Sequence, residues 1–258
     1  MHLETHKLTK FFATRQGSLL ALDAIDLYIN TGELVCIVGA SGSGKTTLLR
    51  IIAGLDSPSS GQVMVDGSPV SGPGADRGMV FQSYTLYPWL RVADNVGFGL
   101  QLQGIPKLQR QERVAHYLEV VGLTSCAHLF PHQLSGGMKQ RVAIARALAT
   151  EPKVLLMDEP FGALDAQTKE AMHAFLLDVW QRTGTTILMI THDVEEAVFL
   201  SQRIYVLTSS PGRVKQEVRV LLPEERDYRC KRSLSFLQLR EEVLDLLREE
   251  RQKSPALA

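Results

Sequence analysis

The sequence predicts an α/β fold with a mainly parallel core sheet, a small antiparallel β subdomain and a helical insertion. Three short apolar runs, at 33–39, 153–159 and 185–192, have the composition of strands that are buried on both faces. Each run is followed, directly or after a short turn, by a segment of helical periodicity, the last of them at 193–204. Alternating strands and helices are typical of an α/β core, whose ligands bind beyond the carboxyl ends of the strands.

Two further patterns lie outside this alternation. Residues 8–30 and 61–70 alternate in polarity like antiparallel strands, and the Asp66-Gly67 pair between them is a favoured hairpin turn. The pattern from 88 to 152 is helical, with proline residues that separate its segments. The first pattern predicts the small β subdomain, and the second predicts the helical insertion.

The end of the chain predicts an amphipathic helix, because its apolar residues recur at intervals of three and four. We expect residues 3–222 to form one domain that contains the insertion, and residues 223–258 to form a C-terminal helical tail. The apolar stripe of this tail consists of Phe236, Leu239, Val243 and Leu246.

The composition excludes several classes of protein. Lys and Arg number 28, as do Asp and Glu, so no excess of positive charge attracts nucleic acid, and we expect no nucleic-acid partner. The 3 cysteines have no metal-ligand spacing, which is typical of a reducing compartment, and Cys36 is predicted to be buried in a strand. No apolar run is long enough to span a bilayer, and the N-terminus lacks an export signal. We therefore expect a chain that is neither exported nor membrane-spanning.

The segment after the first predicted strand carries the strongest chemical signal. The residues "GASGSGKTT" match the P-loop pattern at a strand-to-helix junction. Its glycines let backbone N–H groups and the positive end of the helix meet phosphate. Lys45 is expected to reach the β- and γ-phosphates of a nucleotide, and the Thr46 hydroxyl to bind Mg²⁺. The chain is therefore predicted to have the fold of a P-loop NTPase. The residues expected to bind the nucleotide are Gly39, Ala40, Ser41, Gly42, Ser43, Gly44, Lys45, Thr46 and Thr47.

Two adjacent carboxylates end the second predicted strand. Asp158 and Glu159 follow the apolar residues "VLLM", where unpaired carboxylates would be unfavourable unless they met a cation or water. Asp158 fits a partner of Mg²⁺. Glu159 is expected to point to the other side of the strand, because strand side chains alternate, and to act as the general base that activates water. The alternative is an ordinary surface Asp-Glu pair that opens a loop.

Single residues near other apolar runs give weaker signals. Gln82 and His192 are placed where they could approach the γ-phosphate, although each is also compatible with a structural role. Phe12, or Phe11 in its place, is a candidate to stack on an adenine ring, and the alternative is that it belongs to the core.

A second segment suited to phosphate lies at 134–141, with the sequence "LSGGMKQR". A serine before two glycines at a helix start presents N–H groups and the positive helix end to an anion. Ser135 is also a good helix N-cap. Capping alone leaves the glycine pair, Gly136 and Gly137, unexplained.

In order and spacing, these motifs resemble those of the ATP-binding subunits of ABC transporters, over about residues 3–215. The resemblance rests on Phe12, the P-loop, Gln82, "LSGGMKQ", "VLLMDEP", "ALD" at 163–165 and His192. It implies a head-to-tail dimer in which each ATP lies between the P-loop of one subunit and the LSGG segment of the other. It implies that Ser135, Gly136 and Gly137 bind the γ-phosphate of the partner's ATP. It implies catalytic roles for Glu159, His192 and Gln82, and Mg²⁺ binding by Thr46, Gln82 and Asp158. Phe12 and Asp165 are implied to contact the nucleotide.

A finer resemblance is to the importer ATPases for nitrate, taurine and aliphatic sulfonates. It rests on "GPGADRGMVFQ" at 72–82, "DEPFGALDAQT" at 158–168 and "THDVEEAVFLSQRIYVL" at 191–207. It implies uptake of a small anionic solute and a peripheral position on the cytoplasmic face of the cell (inner) membrane. The implied partners are a second ATP-binding subunit, two transmembrane permease subunits and a periplasmic or extracellular solute-binding protein. The sequence departs from this subfamily at Met138-Lys139, where Gln-Arg is common, and at Arg91, where Thr is frequent.

The resemblance also implies a groove near 82–95 that receives a short helix of the permease. Tyr84, Tyr87 and Trp89 offer apolar contact there, and the alternative is that they pack inside the helical insertion.

Two other functions are compatible with an ATP-binding cassette. A clamp that acts on DNA or ribosomes is disfavoured, since the chain has no long heptad insertion, no second cassette and no net positive charge. A module that binds nucleotide without turnover is disfavoured because Glu159 and His192 are both present.

Overall fold

The structure is a computed structural model that describes residues 2–15, 17–223 and 225–253. The chain divides into two compact units: a first unit of Met1–Gly74 with Thr186–Ala258, and a second unit of Ala75–Thr185. The helices and strands, in chain order, are β1 Leu3–Thr14, β2 Gly17–Ile29, β3 Leu34–Val38, α1 Lys45–Ile52, β4 Ser60–Val65, β5 Ser68–Pro69, β6 Arg77–Val80, α2 Val92–Leu102, α3 Lys107–Val120, α4 Gly136–Ala149, β7 Val154–Asp158, α5 Ala166–Thr183, β8 Thr186–Ile190, α6 Val194–Leu200, β9 Arg203–Leu207, β10 Val214–Arg219 and α7 Leu234–Lys253.

The first unit contains the predicted antiparallel subdomain. Its strands lie in the order β2-β1-β4-β5, and β1 begins at Leu3, earlier than the sequence pattern indicated. Asp66 and Gly67 have φ of 47° and 72°, the left-handed conformation that a two-residue hairpin turn of this kind requires. The hairpin prediction is confirmed.

The first unit also holds most of the core strands. Strand β3 lies between β8 and β9 and runs parallel to both, while β10 is antiparallel to β9. All residues of β3, β8 and β9 are buried, as expected for strands covered on both faces. Cys36 is buried in β3, as the sequence predicted. The pKa of its thiol is raised, mainly because burial disfavours the thiolate and secondly because Glu196 is negatively charged.

One helical prediction extends too far. The helical pattern assigned to 193–204 ends as a helix at Leu200, and Arg203–Leu207 forms β9 instead. Ile204, Tyr205 and Val206 are β-branched or aromatic and fully or almost fully buried, so pairing with β3 outweighs the local helical periodicity.

The second unit contains two parallel strands and four helices. Strands β6 and β7 pair in register, with Arg77 opposite Val154. The sequence pattern had assigned no strand at β6. The helices predicted between 88 and 152 are confirmed as α2, α3 and α4, and α2 packs against both of the others.

The predicted C-terminal helix is confirmed as α7, which belongs to the first unit. Phe236 and Val243 of its apolar stripe are buried, and the helix packs on α6 and β9. The predicted tail covers residues 223–258, of which residue 224 and the last five lie outside the described part of the chain. Among the described residues, no helix combines the length and the apolar character needed to cross a membrane.

Candidate nucleotide-binding site

The P-loop joins β3 to α1 in the first unit, as the sequence predicted. Residues 39–44 form the loop, and α1 begins at Lys45. The Lys45 side chain is only 7% exposed, and its ammonium donates hydrogen bonds to the carbonyl oxygens of Gly39 and Ala40, each at 2.9 Å. A positive charge therefore lies against the loop, close to the N-terminus of α1, where an anion is favoured.

Two glycines allow the close packing behind this loop. Gly44, the N-cap of α1, has φ 83°, and a Cβ there would lie 2.6 Å from Leu22 Cδ2. A Cβ at Gly212 would lie 2.2 Å from the carbonyl oxygen of Ser43. A side chain at Gly212 would displace the backbone of the loop at Ser43, and one at Gly44 would displace the Leu22 side chain and adopt a left-handed backbone conformation.

The geometry of β1 distinguishes Phe12 from Phe11. Lys10 and Phe12 share one face of the strand, and Lys10 Nζ lies 5.0 Å from the centroid of the Phe12 ring. Lys10 is paired with Leu22, which approaches Gly44 of the P-loop. Phe11 faces the opposite side of the strand. The arrangement therefore favours Phe12 as the aromatic residue near the P-loop.

His192 lies at the same edge of the sheet as the P-loop. It follows β8, whose last residue, Ile190, is paired with Ile37 of β3. The N–H of Thr191 donates to the carbonyl oxygen of Ile37 at 3.1 Å, and His192 itself is exposed. Within the first unit, the P-loop and His192 therefore both follow strands that end at the carboxyl end of β3.

The two adjacent carboxylates lie in the second unit, at the end of β7. Strand β7 ends at Asp158, and Glu159 has φ 44°. The sequence argument that Glu159 points away from Asp158 by strand alternation is therefore wrong, since Glu159 is already outside the strand. A left-handed glutamate is unfavourable by about 1–3 kcal/mol, and such strain is typical of functional sites.

Gln82 and Glu159 converge within the second unit. A Cβ built at Gly162 would lie 3.6 Å from Gln82 Nε2 and 3.8 Å from Glu159 Oε2. The N–H of Gly162 also donates to the carbonyl oxygen of Glu159 at 3.1 Å. The amide of Gln82 and the carboxylate of Glu159 therefore border one small space, as expected for groups that act on one substrate.

The signature segment, residues 134–141, begins α4 as predicted. Ser135 is its N-cap, and the Ser135 hydroxyl accepts a hydrogen bond from the N–H of Met138 at 3.3 Å. A Cβ at Gly136 would lie 3.0 Å from Tyr84 Oη, and one at Gly137 would lie 3.0 Å from Thr168 Cγ2. The glycine pair thus has a packing explanation that the sequence argument lacked, and the exposed Ser135 remains available to a second subunit.

Asp165 has a clear structural role as the N-cap of α5. Its carboxylate accepts a hydrogen bond from the N–H of Thr168 at 3.0 Å. Hydrogen bonds from Thr168, through its side chain and then its backbone, lower the pKa of Asp165. The carboxylate is therefore ionised at neutral pH.

Two residues that the sequence analysis did not select fix the loop after Gln82. Asn95 is fully buried, accepts the N–H of Tyr87 at 2.8 Å, and donates to the carbonyl oxygens of Tyr87, Leu90 and Arg91, each at 3.1 Å. Arg146 of α4 binds Thr85 in the same loop. In the sequence, Asn95 and Arg146 differ from their surroundings only as polar residues within apolar helical patterns, which does not reveal their contacts.

Of the aromatic residues in this loop, one packs inside the helical insertion and another is exposed for contact with a partner. Tyr87 packs on Phe98 of α2, with ring centroids 4.6 Å apart, so it belongs to the helical insertion. Trp89 is 70% exposed, and Tyr84 is half-buried beside Gly136. Trp89 is thus the aromatic residue that offers a free apolar surface.

Comparison with known proteins gives concordant matches. Residues 22–162 match the family model described as ABC transporter. Nitrate import ATP-binding protein NrtD of Synechocystis sp. is 57% identical over 265 aligned residues, which cover 100% of both chains. Taurine import ATP-binding protein TauB of Burkholderia thailandensis is 50% identical over 209 residues, covering 81% of this chain and 80% of that protein.

The fold gives the same result. The dimeric structure of a post-hydrolysis state of the ATP-binding cassette MJ0796, bound to ADP and Pi, matches with a TM-score of 0.74 and 34% identity. The match covers 86% of this chain and 100% of that one. The chain therefore belongs to the ABC transporter family, has the fold of an ABC ATP-binding cassette and is an ATPase.

Proposed function

We propose that the chain is the ATP-hydrolysing subunit of an ABC importer for a small anionic solute such as nitrate, taurine or another sulfonate. The observation that carries the proposal is the 57% identity, over the whole length of both chains, to a nitrate import ATP-binding protein. The taurine import protein is nearly as similar over a shorter span, so the proposed solute class includes sulfonates.

The P-loop residues 39–47 bind the phosphates of ATP in this proposal, and Lys45 contacts the β- and γ-phosphates. The placement of the Lys45 ammonium against the loop carbonyls supports this role. Phe12 is the residue proposed to stack on the adenine, since its ring lies beside Lys10, whose partner Leu22 on β2 approaches the P-loop.

The residues at the end of β7 and in the following turn hydrolyse the γ-phosphate. Glu159 accepts the proton of the attacking water, whose oxygen bonds to phosphorus as the bond to ADP breaks. Gln82 and His192 orient water and the γ-phosphate. The convergence of the Gln82 and Glu159 side chains beside Gly162 supports this assignment.

Thr46, Gln82 and Asp158 are the proposed ligands of Mg²⁺. Hydroxyl, amide and carboxylate oxygens are the donors that Mg²⁺ prefers, and the half-buried Asp158 supplies the negative charge. When bound with ATP, the metal ion neutralises charge on the phosphate oxygens.

Two copies of the chain form the working unit in this proposal. Ser135, Gly136 and Gly137 of one subunit bind the γ-phosphate of the ATP held by the partner, and Asp165 contacts the same nucleotide. The exposed Ser135 hydroxyl at the start of a 14-residue helix supports a phosphate contact there. The dimeric state of the matched cassette MJ0796 supports the pairing.

Two transmembrane permease subunits dock on the second unit. Trp89 is 70% exposed, and residues of α2 and α3 line a cavity of about 390 Å³, among them Asp94, Gln101, Lys107, Arg110 and Val114. An exposed aromatic anchor and a partly charged groove are each suited to contact with a short amphipathic helix. The chain then lies on the cytoplasmic face of the cell membrane, and a solute-binding protein delivers solute from the other side.

The decisive experiment is reconstitution. The permease subunits that co-purify in mild detergent are placed in proteoliposomes with this chain, and ATP hydrolysis is measured with nitrate, taurine or sulfate plus the cognate binding protein. We expect nitrate or taurine to raise the rate of ATP hydrolysis. A rate that none of the three solutes changes contradicts the importer assignment. Trp89→Ala abolishes the stimulation but leaves hydrolysis by the isolated subunit unchanged, whereas the exposed Leu221→Ala in the first unit affects neither.

A further inference from the structure

Glu196 of α6 is a buried carboxylate that the proposed catalytic roles do not use. Its side chain is only 2% exposed, and a buried carboxylate is unfavourable unless hydrogen bonds or opposite charge compensate it. The carboxylate accepts a hydrogen bond from the hydroxyl of Thr191. Thr191 is the residue directly before His192, so Glu196 acts on the segment that carries a proposed catalytic side chain.

The Thr191 side chain links two parts of this segment. While its hydroxyl donates to Glu196, the same oxygen accepts the N–H of Asp193 at 3.0 Å. Its own N–H is bound to Ile37 of β3, the strand that leads into the P-loop. The backbone immediately before and after His192 is therefore tied to one buried hydroxyl.

Asp193 completes the arrangement on the other side. Its carboxylate accepts the N–H groups of Glu195 at 3.0 Å and Glu196 at 3.2 Å, which starts α6. This N-cap needs no side chain at position 196. The N-cap therefore does not account for the burial of Glu196, whereas the hydrogen bond from Thr191 helps to compensate its buried carboxylate.

We propose that Glu196 and Thr191 are positioning residues that hold the backbone of His192 in the geometry required for ATP hydrolysis. The inference rests on the proposed role of His192. The His192 side chain is exposed, and the backbone on either side sets the range of positions that the ring can reach. Holding a catalytic group in its productive geometry in advance lowers the entropy lost on reaching the transition state.

A pair of substitutions at one position tests the proposal. Thr191→Val keeps the shape of the side chain and removes the hydroxyl, whereas Thr191→Ser keeps the hydroxyl. We expect Thr191→Val to lower kcat by roughly tenfold to a hundredfold, with nucleotide affinity unchanged within about twofold because the P-loop is intact. Thr191→Ser stays within about twofold of the wild type in both quantities. If Thr191→Val does not fold, Glu196→Gln replaces it. Glutamine keeps an acceptor but removes the charge, so the expected loss of kcat is smaller.

The His192 ring provides a readout that does not depend on activity. In protein with isotope-labelled histidine, the ring resonance of His192 is the one missing from His192→Ala. We expect this resonance to shift or broaden in Thr191→Val, and to keep its wild-type position in Thr191→Ser. An unchanged His192 resonance together with wild-type kcat in Thr191→Val overturns the proposal.

The double mutant separates positioning from a general defect. If Thr191 acts through His192, adding Thr191→Val to His192→Ala lowers the residual hydrolysis no further, and a full additional loss contradicts the proposal. Wild-type hydrolysis by His192→Ala alone overturns the proposed catalytic role of His192. The ring resonance still decides, in that case, whether Thr191 and Glu196 fix its geometry.

Discussion

The guanidinium of Arg146 donates hydrogen bonds to both the carbonyl oxygen and the hydroxyl of Thr85, at 2.7 and 2.8 Å. Thr85 has φ 47°, an unfavourable conformation for a β-branched residue. Arg146 lies on α4, the helix that begins with the signature segment, and Thr85 lies three residues after Gln82. One side chain of the signature helix therefore stabilises the strained loop that carries Gln82.

Arg146→Met is expected to lower the free energy of unfolding by about 0.5–1.5 kcal/mol, because the carbonyl oxygen and the hydroxyl of the exposed Thr85 lose a charged donor. It is also expected to slow ATP hydrolysis, since the loop that holds Gln82 loses its anchor. Arg141→Met is the matched control. Arg141 lies on the same helix but stacks on Phe175, 4.4 Å from the ring centroid, and does not bind the loop. Denaturant unfolding and steady-state hydrolysis are measured for both variants, and equal kinetic effects would argue against a role for the loop anchor.

Lys45→Ala is expected to weaken ATP binding by more than about tenfold. The variant loses a charge-assisted contact with phosphate worth about 1.5 kcal/mol or more. It also frees the carbonyl oxygens of Gly39 and Ala40 that Lys45 binds. Binding is measured by titration with a fluorescent nucleotide, with the exposed Lys153→Ala as a control for net charge. An affinity within about twofold of the wild type removes Lys45 from the phosphate site.

Glu159→Gln is expected to slow hydrolysis by about 10² to 10⁴, the usual contribution of a general base. Glutamine keeps the size of the side chain, so ATP binding is retained. The ATP-bound dimer persists when hydrolysis is slow, and gel filtration with ATP should show more dimer than for the wild type. Normal turnover by this variant would exclude Glu159 as the base.

Glu159→Gly separates the backbone of this residue from its chemistry. Glycine adopts φ 44° without the steric penalty, so thermal stability is expected to stay the same or rise, by up to about 1 kcal/mol. Hydrolysis falls as in Glu159→Gln. Calorimetric melting of Glu159→Gly beside Glu159→Gln measures the difference, and a less stable glycine variant would show that the left-handed conformation is not strained.

Ser135→Arg is expected to block closure of the dimer while leaving binding at the chain's own P-loop intact. Ser135→Ala is the control, because it removes the N-cap hydrogen bond to Met138, worth about 0.5–2 kcal/mol, without adding bulk. Mixing Ser135→Arg with Lys45→Ala leaves one composite site with an intact P-loop and an intact signature. Recovery of hydrolysis in the mixture supports the shared site directly.

If the mixture is inactive, dimerisation of Ser135→Arg with ATP decides the question. A Ser135→Arg protein that both dimerises with ATP and hydrolyses it like the wild type shows that the signature does not contact the partner's nucleotide.

The sequence predicted best where a local pattern decides the structure. The P-loop, the Asp66-Gly67 hairpin and the N-cap at Ser135 each depend on a few neighbouring residues, and each has the expected structure. Strand β9 was missed because its partner β3 is distant in sequence, and pairing outweighed a local helical pattern.

The same limit applies to the candidate site. Strand alternation predicted the direction of the Glu159 side chain, but Glu159 lies in the turn after β7, where its backbone is left-handed. Thr85, Arg146 and Asn95 make their contacts across elements, so no spacing rule could select them. Gly136 and Gly137 are explained by Tyr84 and Thr168, which are more than thirty residues away along the chain.

The junction between α6 and the start of the tail has a practical consequence for shortened forms of this protein. Arg226 donates hydrogen bonds to the carbonyl oxygens of Phe199 at 2.9 Å and Ser201 at 2.8 Å, at the C-terminal end of the helix that follows His192. A chain cut after Leu222 would leave these acceptors without their donor and would also expose the surface that Phe236 covers. Affinity tags and fusion partners are therefore better attached beyond α7, and a cassette that ends at Leu222 is expected to aggregate.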